Sequence, residues 1–231
     1  MSSATQPFDR ATSGRIARAF LPAHPLGNRW DYYYTRGKLG SDPLYPGVLQ
    51  ALRGSAASLL DLGCGLGLLA HALRQDGQAM DYRGVDNDAA KITRGRAVAA
   101  RAQLQDVRFE VVDLAQGPPA HRGSVCILDV LQYLDRDAQG QLVDEAIAML
   151  VPGARLVIRT ALLDGSPRSA TTRITDRLAN LIGWMQSRPQ CYPEADALRA
   201  QLETGGLAAD FAPLYGNTPF NNWLIVASKP L

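Results

Sequence analysis

Two periodicities alternate along most of this 231-residue chain. Apolar runs of strand length stand at SLLDL (58–62), DYRGVD (81–86), VRFEVVD (107–113), SVCILDV (124–130) and RLVIRTAL (155–162). Stretches with helical spacing lie between them, at about 67–75, 88–103 and 137–150, and VPG at 151–153 breaks the last. Strands separated by helices of this length predict parallel pairing through right-handed crossovers, hence a doubly wound α/β sheet. The chain ends in a different rhythm. YPEADALRAQLETGG (192–206) reads as a helix closed by glycine, followed by AADFAPLY (208–215) and NNWLIVASK (221–229). No crossover helix fits between those two runs, so they predict an antiparallel hairpin closing a mostly parallel, seven-stranded sheet.

The flanks are less periodic. Residues 1–14 are small and polar and read as a loose terminus. From Ile16 to Leu52 runs an aromatic-rich, helical lead-in, in which Asp42-Pro43 reads as a helix start. Its three successive tyrosines cannot all face one way on a helix. The chain divides on this reading into a helical lead-in or cap at 1–54 and a core at 55–231. Within the core, 164–191 interrupts the alternation with Ile174, Leu178, Leu181, Ile182, Trp184 and Met185 at helical spacing. This insertion is either an extra helix on the core or a helical lid, since it follows a strand's carboxyl end, where such sheets place their ligands.

Composition narrows the class of function. A net charge of +2 and a pI near 8.5 are too mild to demand a polyanionic partner. Lys91, Arg94, Arg96 and Arg101 fit the wet face of a helix better than a nucleic-acid surface. Cys64, Cys126 and Cys191 are odd in number and widely spaced, supporting neither a disulfide framework nor a structural zinc site. The first residues lack the order of a signal peptide, and no apolar stretch approaches the length of a membrane span. A cytoplasmic protein with no bound metal is expected.

The chemistry concentrates in DLGCGLG, residues 61–67. Glycine is costly to order, so three in five positions call for a reason. A tight strand-to-helix turn would need glycine for backbone angles alone. A P-loop is excluded because GxxxxGK[ST] is absent, and the dinucleotide pattern GxGxxG would require glycine where Leu68 stands. The spacing D-x-G-x-G-x-G on a first strand resembles instead the class I S-adenosylmethionine-dependent methyltransferases, across about residues 55–230. That cofactor carries no pyrophosphate. Its amino-acid end and sulfonium need close backbone approach and a nearby carboxylate, which Gly63, Gly65, Gly67 and Asp61 provide.

The resemblance implies further contacts. Asp86, with Asn87 beside it, ends the second strand nineteen residues beyond Gly67, where a carboxylate accepts both ribose hydroxyls; dinucleotide enzymes share this feature. Asp113 and Leu114 match the family's adenine contacts, although Asp113 also suits a turn cap. Asp129, in LDVLQYL, matches the segment lining the methionine end, or is a structural carboxylate. Tyr34, Arg36 and Lys38 in the lead-in are candidates for the methionine carboxylate, or belong to a solvated surface helix. S-adenosylhomocysteine is the implied product.

The acceptor is less legible. Residues 129–132 read DVLQ rather than [DNS]-P-P-[YFW], which argues against methylation of base amino groups, and Asp129 lacks evident partners for a metal site. Trp30, Tyr133, Trp184 and Met185, with Ile174, Leu178 and Tyr192, favour a hydrophobic or aromatic small molecule over nucleic acid. RGKLGSDP and the NNW tail are similar to methyltransferases of bacterial pigment and secondary-metabolite pathways. His24 and Tyr133 are the only candidate bases; His71 and His121 fit a helix surface and a surface loop. The catalytic residue and the oligomeric state stay open. Two other readings stand beside this one: an NAD(P)-dependent oxidoreductase, disfavoured by Leu68 and the closing hairpin, and a non-catalytic partner subunit of methyltransferase fold.

Overall fold

A computed structural model of the chain describes residues 5–163, 191–216 and 221–229. Three helices lead in: α1 (Arg10–Arg18), α2 (Trp30–Ser41) and α3 (Leu44–Leu52). The alternating core follows as β1 (Leu59–Leu62), α4 (Leu68–Gln75), β2 (Tyr82–Asp86), α5 (Ala89–Arg101), β3 (Val107–Val111), β4 (Ser124–Leu128), α6 (Arg136–Met149) and β5 (Arg155–Ala161). Helix α7 (Ala195–Thr204) and strands β6 (Ala208–Pro213) and β7 (Asn222–Ser228) complete it. The insertion expected at 164–191 lies, but for Cys191, outside the described residues.

The seven strands run in the order β3-β2-β1-β4-β5-β7-β6. The first five are parallel, whereas β7 is antiparallel to both β5 and β6. The expected hairpin therefore forms, with its second strand docked on β5. β1 lies between β2 and β4 and is buried along its whole length, which is why its sequence is apolar on both faces. Leu60 and Leu62 face a layer with Leu142, Val143 and Ala146 of α6 and Leu198 and Leu202 of α7. Leu59 joins the opposite layer, with Val48, Leu49 and Leu52 of α3, Leu69 and Leu73 of α4 and Ile92 of α5. Each fully buried leucine contributes about 1.5–3 kcal/mol, so these two layers hold the sheet between its helices.

The amino-terminal region is more ordered than its composition predicts. Asp9 caps α1 by accepting from the amides of Ala11 and Thr12 at 2.7 and 2.8 Å, and Ser13 is buried. Phe8 donates its amide to the Leu39 carbonyl. From Arg10 the segment expected to be loose gives way to a helix, because Ile16 and Phe20 join Leu39, Leu66, Leu68 and Val98 in a third apolar cluster. This cluster seats the lead-in directly on the glycine loop. The basic face of α5 helps to hold it there: Arg94 pairs with Asp31 at 3.0 Å and Arg101 donates to the Ala19 carbonyl. Arg96 donates to the Phe109 carbonyl at 2.8 Å and Lys91 pairs with Asp88 at 3.7 Å; Arg94, Arg96 and Arg101 are exposed as expected of a solvated helix face, and Lys91 is half-buried.

Candidate active site

The chain turns from β1 into α4 through residues 63–67, and Gly63, Gly65 and Gly67 all have positive φ, at 78°, 56° and 76°. That backbone region disfavours any residue with a Cβ. Packing adds a second constraint at two of the three. A Cβ on Gly63 would sit 2.3 Å from Val130 Cγ2, and one on Gly67 would sit 2.3 Å from the Phe109 ring. At Gly65 a Cβ would meet nothing within 4 Å, so the middle of the loop presents bare backbone to open space. Leu68, at the position that separates this loop from the dinucleotide pattern, is buried as the first residue of α4.

Neighbouring strands latch the loop. The amides of Gly63 and Cys64 both donate to the Val85 carbonyl, at 2.8 and 2.9 Å. Asp86 accepts from the Gly65 amide through Oδ2 and from the Asp88 amide through Oδ1, each at 2.9 Å. Each of its oxygens keeps a lone pair for a further donor. Asn87 beside it is exposed. Asp113, exposed beyond β3, accepts from the Ala115 amide at 3.0 Å and caps the short 3₁₀ turn Leu114–Gln116, so the capping role foreseen for it is realised. Val111, which the sequence did not single out, stands 51% exposed at the end of the same strand.

Asp61 differs from these. It is buried, accepts from the Tyr82 hydroxyl at 2.6 Å through Oδ2, and its Oδ1 has no partner among the described residues. Burial pushes this carboxyl up to about 7, against the hydrogen bond from Tyr82 that favours the charged form, while Asp86 raises it further.

Asp129 has the partners that Asp61 lacks. Its backbone adopts a φ of 59°, which aspartate tolerates better than most residues, and its amide donates to the Arg159 carbonyl. The Arg159 guanidinium bonds both oxygens of Asp129 and also reaches Asp42 at 3.1 and 3.2 Å. Lys38 pairs with Asp42 at 2.7 Å and with Asp129 at 3.4 Å. Two cations and two anions thus form a closed ring joining α2, the start of α3 and the carboxyl ends of β4 and β5. Burial opposes charge on Lys38, Asp129 and Arg159. The opposite charges prevail: Lys38 and Arg159 are held above their ordinary values and Asp129 below its own. Arg159 and Asp42 are almost fully buried, whereas about a quarter of each of the Lys38 and Asp129 side chains reaches solvent. The structural-carboxylate alternative for Asp129 is therefore present, and Lys38 is fixed by the same contacts.

The remaining candidates are dispersed. Arg36 is half-buried, Tyr34 is largely exposed beside Lys38, and Trp30 stands 61% exposed at the start of α2. Tyr133 is half-buried in the short turn after β4, and Trp184 and Met185 lie outside the described residues. His24 is exposed. His71 corrects the expectation of a helix surface: it is buried against Phe20, with ring centroids 4.8 Å apart, and Nε2 has no partner among the described residues. His121, half-buried, bonds the Ser124 carbonyl at 3.0 Å through Nε2. Tyr82, Asp42 and Arg159 are the contributors that the sequence reading missed. A lone arginine inside the apolar run RLVIRTAL was the one available signal.

The site therefore offers an open backbone cradle, a half-buried carboxylate latched to it, and a buried carboxylate with an unfilled oxygen. A zwitterionic pair, Lys38 and Asp129, stands at the next strand end. That donor set fits a ligand with vicinal hydroxyls at one end and an amino acid at the other.

Comparison with known proteins agrees. Residues 59–153 match the family model described as a methyltransferase domain. Over 107 residues the chain is 30% identical to a ubiquinone biosynthesis O-methyltransferase of Xylella fastidiosa, a match covering 46% of this chain and 42% of that protein. The chain thus matches less than half the length of the curated relatives. Magnesium protoporphyrin IX methyltransferase from Synechocystis PCC 6803, solved with bound S-adenosylhomocysteine, superimposes with a TM-score of 0.63 at 16% identity, over 93% of each chain. The pyocyanin biosynthetic protein PhzM gives 0.65 at 16% identity, over 96% of this chain and 62% of its own. The [4+2]-cyclase SpnF gives 0.63 at 14%, over 96% and 93%. The family model thus falls on the strand-loop-helix that builds the cradle, and the sheet is shared with these neighbours: residues 59–153 are similar to a methyltransferase domain, in a chain with the fold that these solved proteins share.

Proposed function

We propose that the protein transfers a methyl group from S-adenosylmethionine to a hydroxyl of a hydrophobic or aromatic small molecule, leaving S-adenosylhomocysteine. The observation that carries this reading is the glycine loop at the end of β1, open at Gly65 and latched to Asp86. When bound, the cofactor supplies a methyl carbon already activated by positive sulfur, so the protein has chiefly to align the acceptor and exclude water. Asp86 accepts the ribose hydroxyls through its spare lone pairs. Asp113, the amide of Leu114 and the exposed face of Val111 flank the base. Lys38, at the half-open corner of the ring it forms with Asp129, offers positive charge to the carboxylate of the amino-acid end, with Tyr34 and Arg36 nearby on α2.

For the acceptor, support comes from the aromatic flank of α2, where Trp30, Tyr33 and Tyr34 are exposed, and from relatives whose names denote O-methyl transfer. The cyclase among the structural neighbours shows that this fold also serves other chemistry, so transfer must be measured and not assumed from binding. Calorimetric titration with S-adenosylhomocysteine tests the cofactor, and transfer of a labelled methyl group to a panel of phenols tests the reaction. Saturable binding followed by labelled ether is the expected result. Absence of binding at millimolar ligand overturns the reading, and binding of NADH in its place revives the oxidoreductase alternative.

A further inference from the structure

Among the described residues, Asp61 is a buried carboxylate with no cation paired to it. The groups around it come from every neighbouring element: Tyr82 and Asp86 from β2, Cys64 from the loop, Cys126 from β4 and Tyr45 from α3. None of these described groups is positively charged. Lys38 and Arg159, which lie near the site, are held in the ring with Asp42 and Asp129. A buried anion without a partner is costly, and it survives where something else supplies the charge.

The local packing is arranged around this carboxylate. Asp61 and Gly84 are aligned across the β1–β2 ladder. A Cβ on Gly84 would fall 2.9 Å from the Tyr82 hydroxyl and 2.8 Å from Cys64 Sγ. The missing side chain is what allows the phenol, rooted two residues earlier on the same strand, to extend under Gly84 to Asp61. Tyr82 itself is fully buried and stacks edge-on against Phe109, with centroids 5.8 Å apart, so its position is fixed by the core. One oxygen of Asp61 is engaged and the other is left empty, two residues before the open loop.

We propose that Tyr82 is a positioning residue of the cofactor site, fixing one oxygen of Asp61 so that the other is reserved for the cationic amino-acid end of the ligand. Asp61 then exchanges its proton for the ligand's positive charge: the carboxyl O–H of the empty protein releases H⁺ to solvent, and the carboxylate pairs with the ammonium. This deepens the reading given above and rests on it. Because burial places the empty carboxyl at about 7, binding tightens as pH rises through neutrality, by about tenfold between pH 6 and pH 8.

The test is titration with S-adenosylhomocysteine at pH 6, 7 and 8, in two buffers of different ionisation enthalpy, with folding checked by circular dichroism. The wild-type protein is expected to bind about tenfold more tightly at pH 8 than at pH 6 and to release a proton at pH 6. Asp61→Asn, which conserves shape, is expected to bind weakly with a flat profile. Tyr82→Phe removes a hydrogen bond to the charged form, so its weakening is expected to be greatest at low pH, with the profile displaced upward. A flat wild-type profile overturns the inference while leaving the methyltransferase reading intact. A Tyr82→Phe loss of the same factor at every pH reduces Tyr82 to a packing residue and overturns its positioning role. If Tyr82→Phe does not fold, the wild-type and Asp61→Asn profiles decide the coupling. No binding at any pH overturns the parent reading and this one with it.

Discussion

Arg159 and Asp129 face each other across the carboxyl ends of β5 and β4, guanidinium against carboxylate, and the same guanidinium reaches Asp42 at the start of α3. Three segments far apart in sequence are joined through one buried cation. Replacing Arg159 with methionine leaves two carboxylates facing each other with only Lys38 between them. The expected cost is about 3–5 kcal/mol, the range for removing one partner of a buried pair, read as a lower urea midpoint. Lys38→Met, at a more exposed corner of the ring, is expected to cost less than half of that.

The three loop glycines separate packing from binding. Gly67→Ala drives a methyl group into the Phe109 ring and is expected to destabilise the fold by about 3 kcal/mol or more. Gly65→Ala suffers only backbone strain of about 1–2 kcal/mol, since its Cβ projects into open space. The order is expected to reverse for cofactor binding, with Gly65→Ala losing less melting temperature than Gly67→Ala but defective in S-adenosylhomocysteine titration. Parallel thermal melts and calorimetry decide this.

Asp86 serves the loop as well as the ligand, and its variants should show both. Asp86→Ala is expected to lose about 2–4 kcal/mol of cofactor affinity through unmatched hydroxyls, and its freed Gly65 amide should exchange faster with deuterium. Asp86→Asn keeps one acceptor oxygen and is expected to fall between the two proteins in affinity. Unchanged affinity in a folded Asp86→Ala protein refutes the assignment of the ribose end.

His71 and Asp61 give opposite pH signatures. Burial holds the His71 imidazole down to about 4, against an ordinary value near 6.5, so the neutral ring is required by the fold. Its contribution is complete above about pH 6.5 and is lost as pH falls towards 4, by up to about 3 kcal/mol. His71→Leu is therefore expected to lose less stability than wild type between pH 7 and pH 5, in denaturant titrations at each pH.

For Asp61 the raised carboxyl works the other way. The unfolded chain ionises near pH 4 and the folded chain near 7, so the ligand-free fold loses stability as pH rises through that window and levels off above it. The integrated cost is about 4 kcal/mol. Asp61→Asn is expected to be more stable than wild type at pH 8, with the advantage shrinking towards pH 4 in chemical denaturation. An Asn variant less stable at pH 8 contradicts the burial of an unpaired charge.

The alternation of strands and helices, the antiparallel ending and the glycine cradle were legible in the sequence because each is written in neighbouring residues. SLLDL announces a strand buried on both faces, GVD places Asp86 at a strand end, and Leu68 separates the loop from a pyrophosphate site, all within a few positions. Partnership between buried groups is not written that way. Lys38 and Asp129 are ninety-one positions apart and Asp42 and Arg159 one hundred and seventeen. His71 looks like a polar helix residue until Phe20 covers it, and residues 8–14 look loose until the α1 cluster forms on Leu66 and Leu68. Local propensity and periodicity set the elements. Only the folded sheet, by bringing strand ends and the lead-in helices together, decided which charges are paired, which carboxylate stays alone, and hence where a cation from outside would be received.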